Sequence, residues 1–309
     1  MRIAIVAPGG VGGYFGGLLA KSGETVLALA RGAHLAAIQR HGLRLQGPRG
    51  EATVRFEASD NAAALGAADI VLFAVKLYQI EQAARDAAAL FGPRTLGISL
   101  LNGIGGAEAA ASVLPGATVL GGVAWVSAVI AEPGVIRHNT AMSSIEFGAA
   151  KDADARATLL DFAERCRRAG FGAQMVEDIR GALWNKLIGL ASNAALTSAA
   201  RLPAGPLYTD PDVVEVAAAL VAEATAVARA QGVDLPQDIE QTWVGRFKSF
   251  PPQMYASMYH DVAKGSPIEV EGLSGHIVRE GRRLGVPTPH HAALYAVLKP
   301  HRNGMPALQ

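Results

Sequence analysis

Residues 1–16, Met-Arg-Ile-Ala-Ile-Val-Ala-Pro-Gly-Gly-Val-Gly-Gly-Tyr-Phe-Gly, carry the strongest indication of the fold. Residues 2–6 predict a strand, and the apolar pattern at 12–22 predicts the helix that follows. A strand, a glycine-rich turn and a helix in this order are how a dinucleotide-binding unit begins. We therefore predict that the turn binds a dinucleotide, with a plain structural turn as the alternative.

The turn departs from the usual G-x-G-x-x-G spacing at its first position, which is Ala7. Gly9 would let the backbone approach a pyrophosphate, and Gly12 would let the helix pack closely on the strand. Gly10, Val11 and Gly12 would present backbone N–H groups to the phosphates at the positive end of the helix. Ala7 brings a Cβ into the tight turn, so the motif stands as A-x-G-x-x-G.

Composition limits the class of protein. A chain of 309 residues favours two domains, and a net charge of +1 gives no electrostatic footprint for nucleic acid. No apolar run approaches the roughly 20 residues that span a bilayer, and no signal-peptide pattern is present. The single cysteine, Cys166, excludes an internal disulfide. We expect a soluble, cytoplasmic protein without nucleic-acid, membrane or metal partners.

In the first half, short apolar strands alternate with Ala-rich helices. The predicted strands are 2–6, 24–30, 70–75, 96–101, 118–126 and 172–176. This alternation predicts an α/β domain, a Rossmann-type doubly wound parallel sheet, over residues 1–177. The pattern then becomes helical nearly to the end of the chain, which predicts an all-α C-terminal domain at 178–309.

In such sheets, ligands bind beyond the carboxyl ends of the strands, so the residues at those ends carry the functional inference. Lys76 and Asn102 directly follow the third and fourth predicted strands, although Asn-Gly is also a common turn pair. Arg31 directly follows the second strand, where an NAD site usually has an acid. A guanidinium can pair with a 2′-phosphate, so we predict NADPH, with a solvated surface arginine as the alternative.

The predicted helical domain contains an unusual lysine and an unusual glutamate. Lys186 lies in an apolar helix predicted at 179–200, where an ammonium loses hydration unless it is partnered or snorkels at an edge. Glu269 lies between apolar neighbours just after a Gly/Pro turn. The two would suit acid/base or electrostatic roles in carbonyl chemistry if they met, but their spacing alone does not pair them.

Together these residues resemble the ketopantoate reductase (2-dehydropantoate 2-reductase) family over nearly the whole chain. The motifs are Gly-Gly-Val-Gly-Gly-Tyr-Phe-Gly at 9–16, Ala-Arg-Gly at 30–32, Val-Lys at 75–76, Leu-Asn-Gly at 101–103, Trp-Asn-Lys-Leu at 184–187 and Gly-Val-Pro-Thr-Pro at 285–289. The resemblance implies a Rossmann domain, a helical C-terminal domain and NADPH-dependent reduction of a 2-oxo acid. Ketopantoate, reduced to pantoate, is the default substrate.

The resemblance also implies roles for individual residues. Lys186 matches the family's general acid, and Glu269 matches a glutamate that supports catalysis and places the substrate. Lys76 and Asn102 match positions where cofactor and substrate meet. The residues predicted to bind substrate are Lys76, Asn102, Lys186, Asn193, Ser257, Asp261 and Glu269.

One departure bears on the substrate. Ketopantoate enzymes commonly have asparagines four and eight residues after the catalytic lysine, whereas this chain has Leu190 and Ala194, with Asn193 one residue off the pattern. Each lost polar contact would cost roughly 1–3 kcal/mol if the substrate needed it. A more apolar 2-oxo acid is therefore an alternative substrate. A non-catalytic NADP-binding sensor and an opine- or 3-hydroxyacid-type dehydrogenase are further alternatives, and a homodimer is left open.

Overall fold

The structure is a computed structural model that describes residues 1–305, at Ala141 by the backbone alone. The chain divides into two compact units. The first comprises Met1–Leu101 and Gly105–Ile179, and the second comprises Asn102–Ile104 and the chain from Arg180 onward. Within the described range, no helix combines the length and apolar character that a membrane span requires.

The first unit is built on a ten-stranded sheet. Its strands are β1 (Arg2–Val6), β2 (Thr25–Leu29), β3 (Leu43–Gln46), β4 (Ala52–Val54), β5 (Glu57–Ser59), β6 (Ala68–Phe73), β7 (Phe91–Ser99), β8 (Thr118–Glu132), β9 (Val135–Gly148) and β10 (Gly172–Val176). The order is β4-β3-β9-β8-β7-β6-β1-β2-β5, and β10 also pairs with β9. The neighbouring strands in the segment β8-β7-β6-β1-β2-β5 are all parallel. The pairs β8–β9 and β3–β4 are antiparallel.

Helices cover the strands of this sheet. They are α1 (Gly10–Lys21), α2 (Gly32–His41), α3 (Ala62–Leu65), α4 (Ile80–Asp86), α5 (Gly106–Ser112) and α6 (Ala153–Arg168). Ile3 and Ile5 of β1 belong to one buried apolar cluster, and Ala4 and Val6 belong to another. Since alternate side chains of a strand point to opposite faces, both faces of β1 are buried. That is why this strand is an uninterrupted apolar run in the sequence.

The predicted fold class is confirmed, but the sheet contains more than the predicted parallel strands. The strand expected at 118–126 continues to Glu132, turns at Pro133 and Gly134, and returns antiparallel as β9. Gly134 has a φ of +80°, which favours glycine. The strands β3, β4, β5 and β9 were not predicted, because the first three are short and the sequence of β9 has no regular alternation of apolar and polar residues.

The second unit is helical. Its helices are α7 (Ile179–Ala200), α8 (Ala204–Tyr208), α9 (Pro211–Ala230), α10 (Ile239–Lys248), α11 (Ser257–Ala263), α12 (Ser274–Leu284) and α13 (Pro289–Leu298). α7 and α10 approach closely at Gly189, where an added Cβ would lie 2.3 Å from the Trp243 ring. The Trp243 indole N–H donates to Asn185 Oδ1 at 3.0 Å, and this bond fixes α10 against α7.

Candidate active site

The glycine turn lies at the edge of the sheet where four parallel strands end. Val6 of β1 pairs with Leu29 of β2 on one side and with Phe73 of β6 on the other. Phe73 in turn pairs with Ser99 of β7. From β1 the strands run in chain order to β2 and β5 on one side and to β6, β7 and β8 on the other. The glycine turn therefore follows the strand at which the strand order changes direction. In open α/β sheets this switch point is where ligands bind.

Ala7 takes up the strained conformation that the first glycine of such a motif usually supplies. Its φ is +62°, in the left-handed region. Its N–H donates to Leu29 O at 3.0 Å, and its carbonyl accepts from the Gly9 N–H at 2.7 Å. A tight turn therefore forms without glycine at this position, at a strain of roughly 1–2 kcal/mol.

The glycines of the turn have two different surroundings. A Cβ on Gly10 would lie 2.1 Å from the backbone oxygen of Ala128 in β8, and one on Gly12 would lie 2.9 Å from side-chain atoms of β1 and the β6 end. A Cβ on Gly9 would meet nothing closer than 4.0 Å. Gly10 and Gly12 therefore allow α1 to pack on the sheet, whereas Gly9 leaves open space beside the turn.

That open space is a groove of about 440 Å³. Gly9, Arg31, Val75, Tyr78 and Asp86 are among the residues that line it. Gly9 is the N-cap residue of α1, so no side chain of that residue bonds to the first N–H groups of the helix. The first turn of α1 contains no acidic residue either. Backbone N–H groups and a partial positive charge suit the pyrophosphate of a dinucleotide, so the groove fits such a ligand.

Arg31 lies at the carboxyl end of β2 as the N-cap residue of α2, with its side chain 66% exposed. Its Nη2 donates to Asp86 Oδ2 at 2.5 Å, and Gln82 Nε2 donates to Asp86 Oδ1 at 2.9 Å. Gln82 and Asp86 were not predicted from the sequence. They lie on α4, and no short motif links that helix to the end of β2.

His34 ties the glycine turn to the β8–β9 hairpin. Its Nδ1 accepts from the Gly134 N–H at 3.0 Å, so the ring proton is assigned to Nε2, which donates to Pro8 O at 2.8 Å. Both ring nitrogens are therefore engaged with backbone groups on either side of the imidazole. This role was not predicted, because the Gly134 turn was not placed near α2 by any sequence signal.

Lys76 and Asn102 occupy equivalent places after neighbouring strands. β6 ends at Phe73 and β7 at Ser99, so each side chain comes three residues after its strand rather than directly after it. Both residues are half-buried. Asn102 is followed by Gly103 with a φ of +86°, which favours glycine, and the chain bends there.

In the second unit, the structure brings Lys186 and Glu269 close enough for their charges to interact. Lys186 is half-buried on α7, and Glu269 is 5% exposed at the start of a short 3₁₀ turn. Burial lowers the pKa of Lys186 to about 8, and the Glu269 carboxylate opposes part of that shift. An ammonium with this pKa is protonated at neutral pH and gives up its proton readily.

The remaining predicted substrate contacts have different environments. Ser257 is exposed as the first residue of α11, and Asp261 lies one turn later and is half-buried. Asn193 is buried, and its Oδ1 accepts from the Tyr208 hydroxyl at 2.7 Å. Leu190, one turn after Lys186, is half-buried, and Ala194 has no exposed surface.

Comparison with known proteins identifies the family. The family model described as ketopantoate reductase PanE/ApbA matches residues 3–152, and the model of its C-terminal domain matches residues 178–302. The chain belongs to the ketopantoate reductase family. This is a family of nicotinamide-dependent reductases.

Relatives match over almost the whole length. A 2-dehydropantoate 2-reductase of Mesorhizobium japonicum is 30% identical over 97% of both chains. The crystal structure of a PanE/ApbA family ketopantoate reductase from Ralstonia eutropha JMP134 is 33% identical, with a TM-score of 0.90 over 98% of both chains. A D-mandelate dehydrogenase in complex with NADH and anilino(oxo)acetate is 23% identical with a TM-score of 0.88 over 98% of both chains, which shows a shared fold.

Proposed function

We propose that this protein reduces a 2-oxo acid to a 2-hydroxy acid with NADPH, and that ketopantoate, reduced to pantoate, is the default substrate. The observation that carries the proposal is the Lys186–Glu269 pair in the helical unit. A bound nicotinamide dinucleotide supplies the hydride. The relative from Mesorhizobium japonicum, which is named 2-dehydropantoate 2-reductase, supports this choice of substrate.

Lys186 acts as the proton donor. Reduction of a carbonyl leaves negative charge on its oxygen, and a nearby ammonium both stabilises that charge and donates a proton to it. With a pKa of about 8, Lys186 is about nine-tenths protonated at pH 7. Burial disfavours the charged form of Lys186, and the nearby negative charge of Glu269 partly restores it.

NADPH is the proposed cofactor because Arg31 stands at the end of β2, where an NAD site usually has an acid. Backbone N–H groups from Gly10 to Gly12 would hold the pyrophosphate, and Gly9 would allow its close approach. Lys76 and Asn102 are proposed to contact both cofactor and substrate. The other proposed substrate contacts are Asn193, Ser257 and Asp261.

The test is dinucleotide oxidation against a panel of 2-oxo acids that includes ketopantoate, pyruvate, and branched and aryl 2-oxo acids. NADPH and NADH are compared with each acid. We expect turnover with NADPH and at least one acid, and its loss in Lys186→Ala. Absence of turnover with every acid would refute the reductase assignment, and near-normal turnover in Lys186→Ala would remove Lys186 from the role of proton donor.

A second candidate substrate is a more apolar 2-oxo acid. Leu190 and Ala194 stand where ketopantoate enzymes commonly have asparagines, and neither offers a hydrogen bond to a hydroxyl or carboxylate. If this candidate is right, branched or aryl 2-oxo acids will have a higher kcat/KM than ketopantoate. Leu190→Asn should then raise kcat/KM for ketopantoate relative to the apolar acids, whereas an unchanged ratio would remove Leu190 from substrate selection.

A further inference from the structure

The groove beside the glycine turn contains a carboxylate, that of Asp86, whose role the sequence does not indicate. Asp86 is the last residue of α4, and its side chain, 27% exposed, lines the same groove as Gly9 and Arg31. Building on the proposed function, we propose that Asp86 sets the balance between NADPH and NADH by holding the Arg31 guanidinium and opposing a 2′-phosphate.

The carboxylate of Asp86 is fixed by hydrogen bonds to both of its oxygens. Arg31 Nη2 donates to Oδ2, and Gln82 Nε2 donates to Oδ1 from one turn earlier on α4. Arg31 comes from a different element, as the N-cap residue of α2. The guanidinium expected to meet a 2′-phosphate is therefore already paired with a carboxylate from the neighbouring helix.

This arrangement has opposite consequences for the two cofactors. A 2′-phosphate carries about two negative charges near pH 7, so it must compete with Asp86 for Arg31 and lie near a like charge. A 2′-hydroxyl carries no charge and can donate a hydrogen bond to a carboxylate. NAD sites usually obtain such a carboxylate from the end of the second strand, whereas here α4 brings one to the same groove.

The contrasting interpretation is that Arg31 and Asp86 form an ordinary exposed ion pair. Such pairs contribute little to stability and are weakened by salt. If Asp86 did no more than this, its removal would leave the affinities for both dinucleotides unchanged. The ratio of those affinities therefore separates the two interpretations.

The experiment measures dissociation constants of NADPH and NADH by titration calorimetry without a 2-oxo acid, in the wild type and Asp86→Asn. We expect NADPH to bind roughly three- to tenfold more tightly to Asp86→Asn, and NADH to bind equally or less tightly. Adenosine 2′,5′-bisphosphate should gain affinity as NADPH does, whereas 5′-AMP should not. The gain should shrink as salt is raised.

Glu81→Gln is the matched control. Glu81 lies on α4, is exposed, and pairs with Arg85 at 3.2 Å, so it tests the loss of a charge on the same helix away from the Arg31 pair. We expect no change in the NADPH to NADH ratio. A change as large as that of Asp86→Asn would overturn the assignment to Asp86, because net charge alone would then explain it.

The double variant Arg31→Ala, Asp86→Asn tests whether Asp86 acts through the guanidinium. We expect the effect of Asp86→Asn on the ratio to fall to less than half in the Arg31→Ala background. If Asp86→Asn changed the affinity ratio equally in the Arg31→Ala background, Asp86 would not act through Arg31. If Asp86→Asn alone left the ratio of NADPH to NADH affinity unchanged, the whole proposal would be refuted. Because these are binding measurements, absence of turnover would refute the reductase assignment without deciding the role of Asp86.

Discussion

The glycine turn of the first unit and the Lys186–Glu269 pair of the second differ in how the sequence encodes them. The turn acts through backbone groups of adjacent residues, so one short motif contains it. The pair consists of two side chains from distant parts of the chain. The packing of the helical unit brings them close enough for their charges to interact. A motif made of backbone groups is therefore local in the sequence, whereas a pair of side chains from distant segments depends on tertiary packing.

The two regions also use charge differently. The turn offers partial charges of helix N–H groups beside an exposed guanidinium. The pair is buried enough to move the pKa of Lys186 by a large amount. Changes at the turn should therefore alter dinucleotide binding or stability, and changes at the pair should alter the rate and its pH dependence.

The largest effect should come from Lys186→Ala. Loss of the proton donor should lower kcat at least ~100-fold and leave the dissociation constant of the dinucleotide nearly unchanged. Lys248→Ala is the control, since Lys248 is an exposed lysine at the end of α10. A Lys186→Ala variant that instead lost dinucleotide affinity would break the separation between binding region and catalytic pair.

Gly10→Ala and Gly9→Ala should separate packing from binding within the turn. A Cβ on Gly10 meets the backbone of β8 at 2.1 Å, so this variant should lose about 2 kcal/mol of stability in denaturant unfolding. Gly9 has a φ of −72°, which alanine adopts, and open space around its Cβ position. Gly9→Ala should keep its stability and bind the dinucleotide roughly tenfold more weakly. Equal stability losses would show that both glycines serve packing alone.

The pH dependence of reduction should report the pKa of Lys186. The donor is active when protonated, so kcat/KM should fall as pH rises through about 8, and the reverse oxidation should rise there. Since the Glu269 charge raises this pKa, Glu269→Gln should move the alkaline limb to lower pH. A limb that stays in place would show that the profile belongs to another group.

The smallest effect should come from Ala7→Gly. It relieves a positive φ of +62° but gives the unfolded chain more freedom, so a net gain of about 0.5 kcal/mol is expected. Thermal unfolding of the two proteins measures it. A clear loss of stability would mean that the Ala7 side chain makes contacts that outweigh its strain.

The sequence predicted the elements that have uniform local signals. The bounds of β1 and α7 match their predictions, because one is a continuous apolar run and the other a long helical pattern that ends before Pro203. The return strand β9 was missed, because its sequence has no regular alternation of apolar and polar residues. Asp86 and His34 went unassigned for a different reason, since Arg31, Pro8 and Gly134, which they contact, lie on other elements.

The family, the α/β and helical architecture and the glycine turn could be predicted from the sequence, because periodicity and short motifs are properties of neighbouring residues. Tertiary packing was needed to show that the charges of Glu269 and Lys186 interact, that Gly10 serves packing while Gly9 borders open space, and that Asp86 pairs with Arg31. Each of these depends on distances between residues far apart in the chain. Such distances are set by the packing of strands and helices, which no spacing in the sequence records.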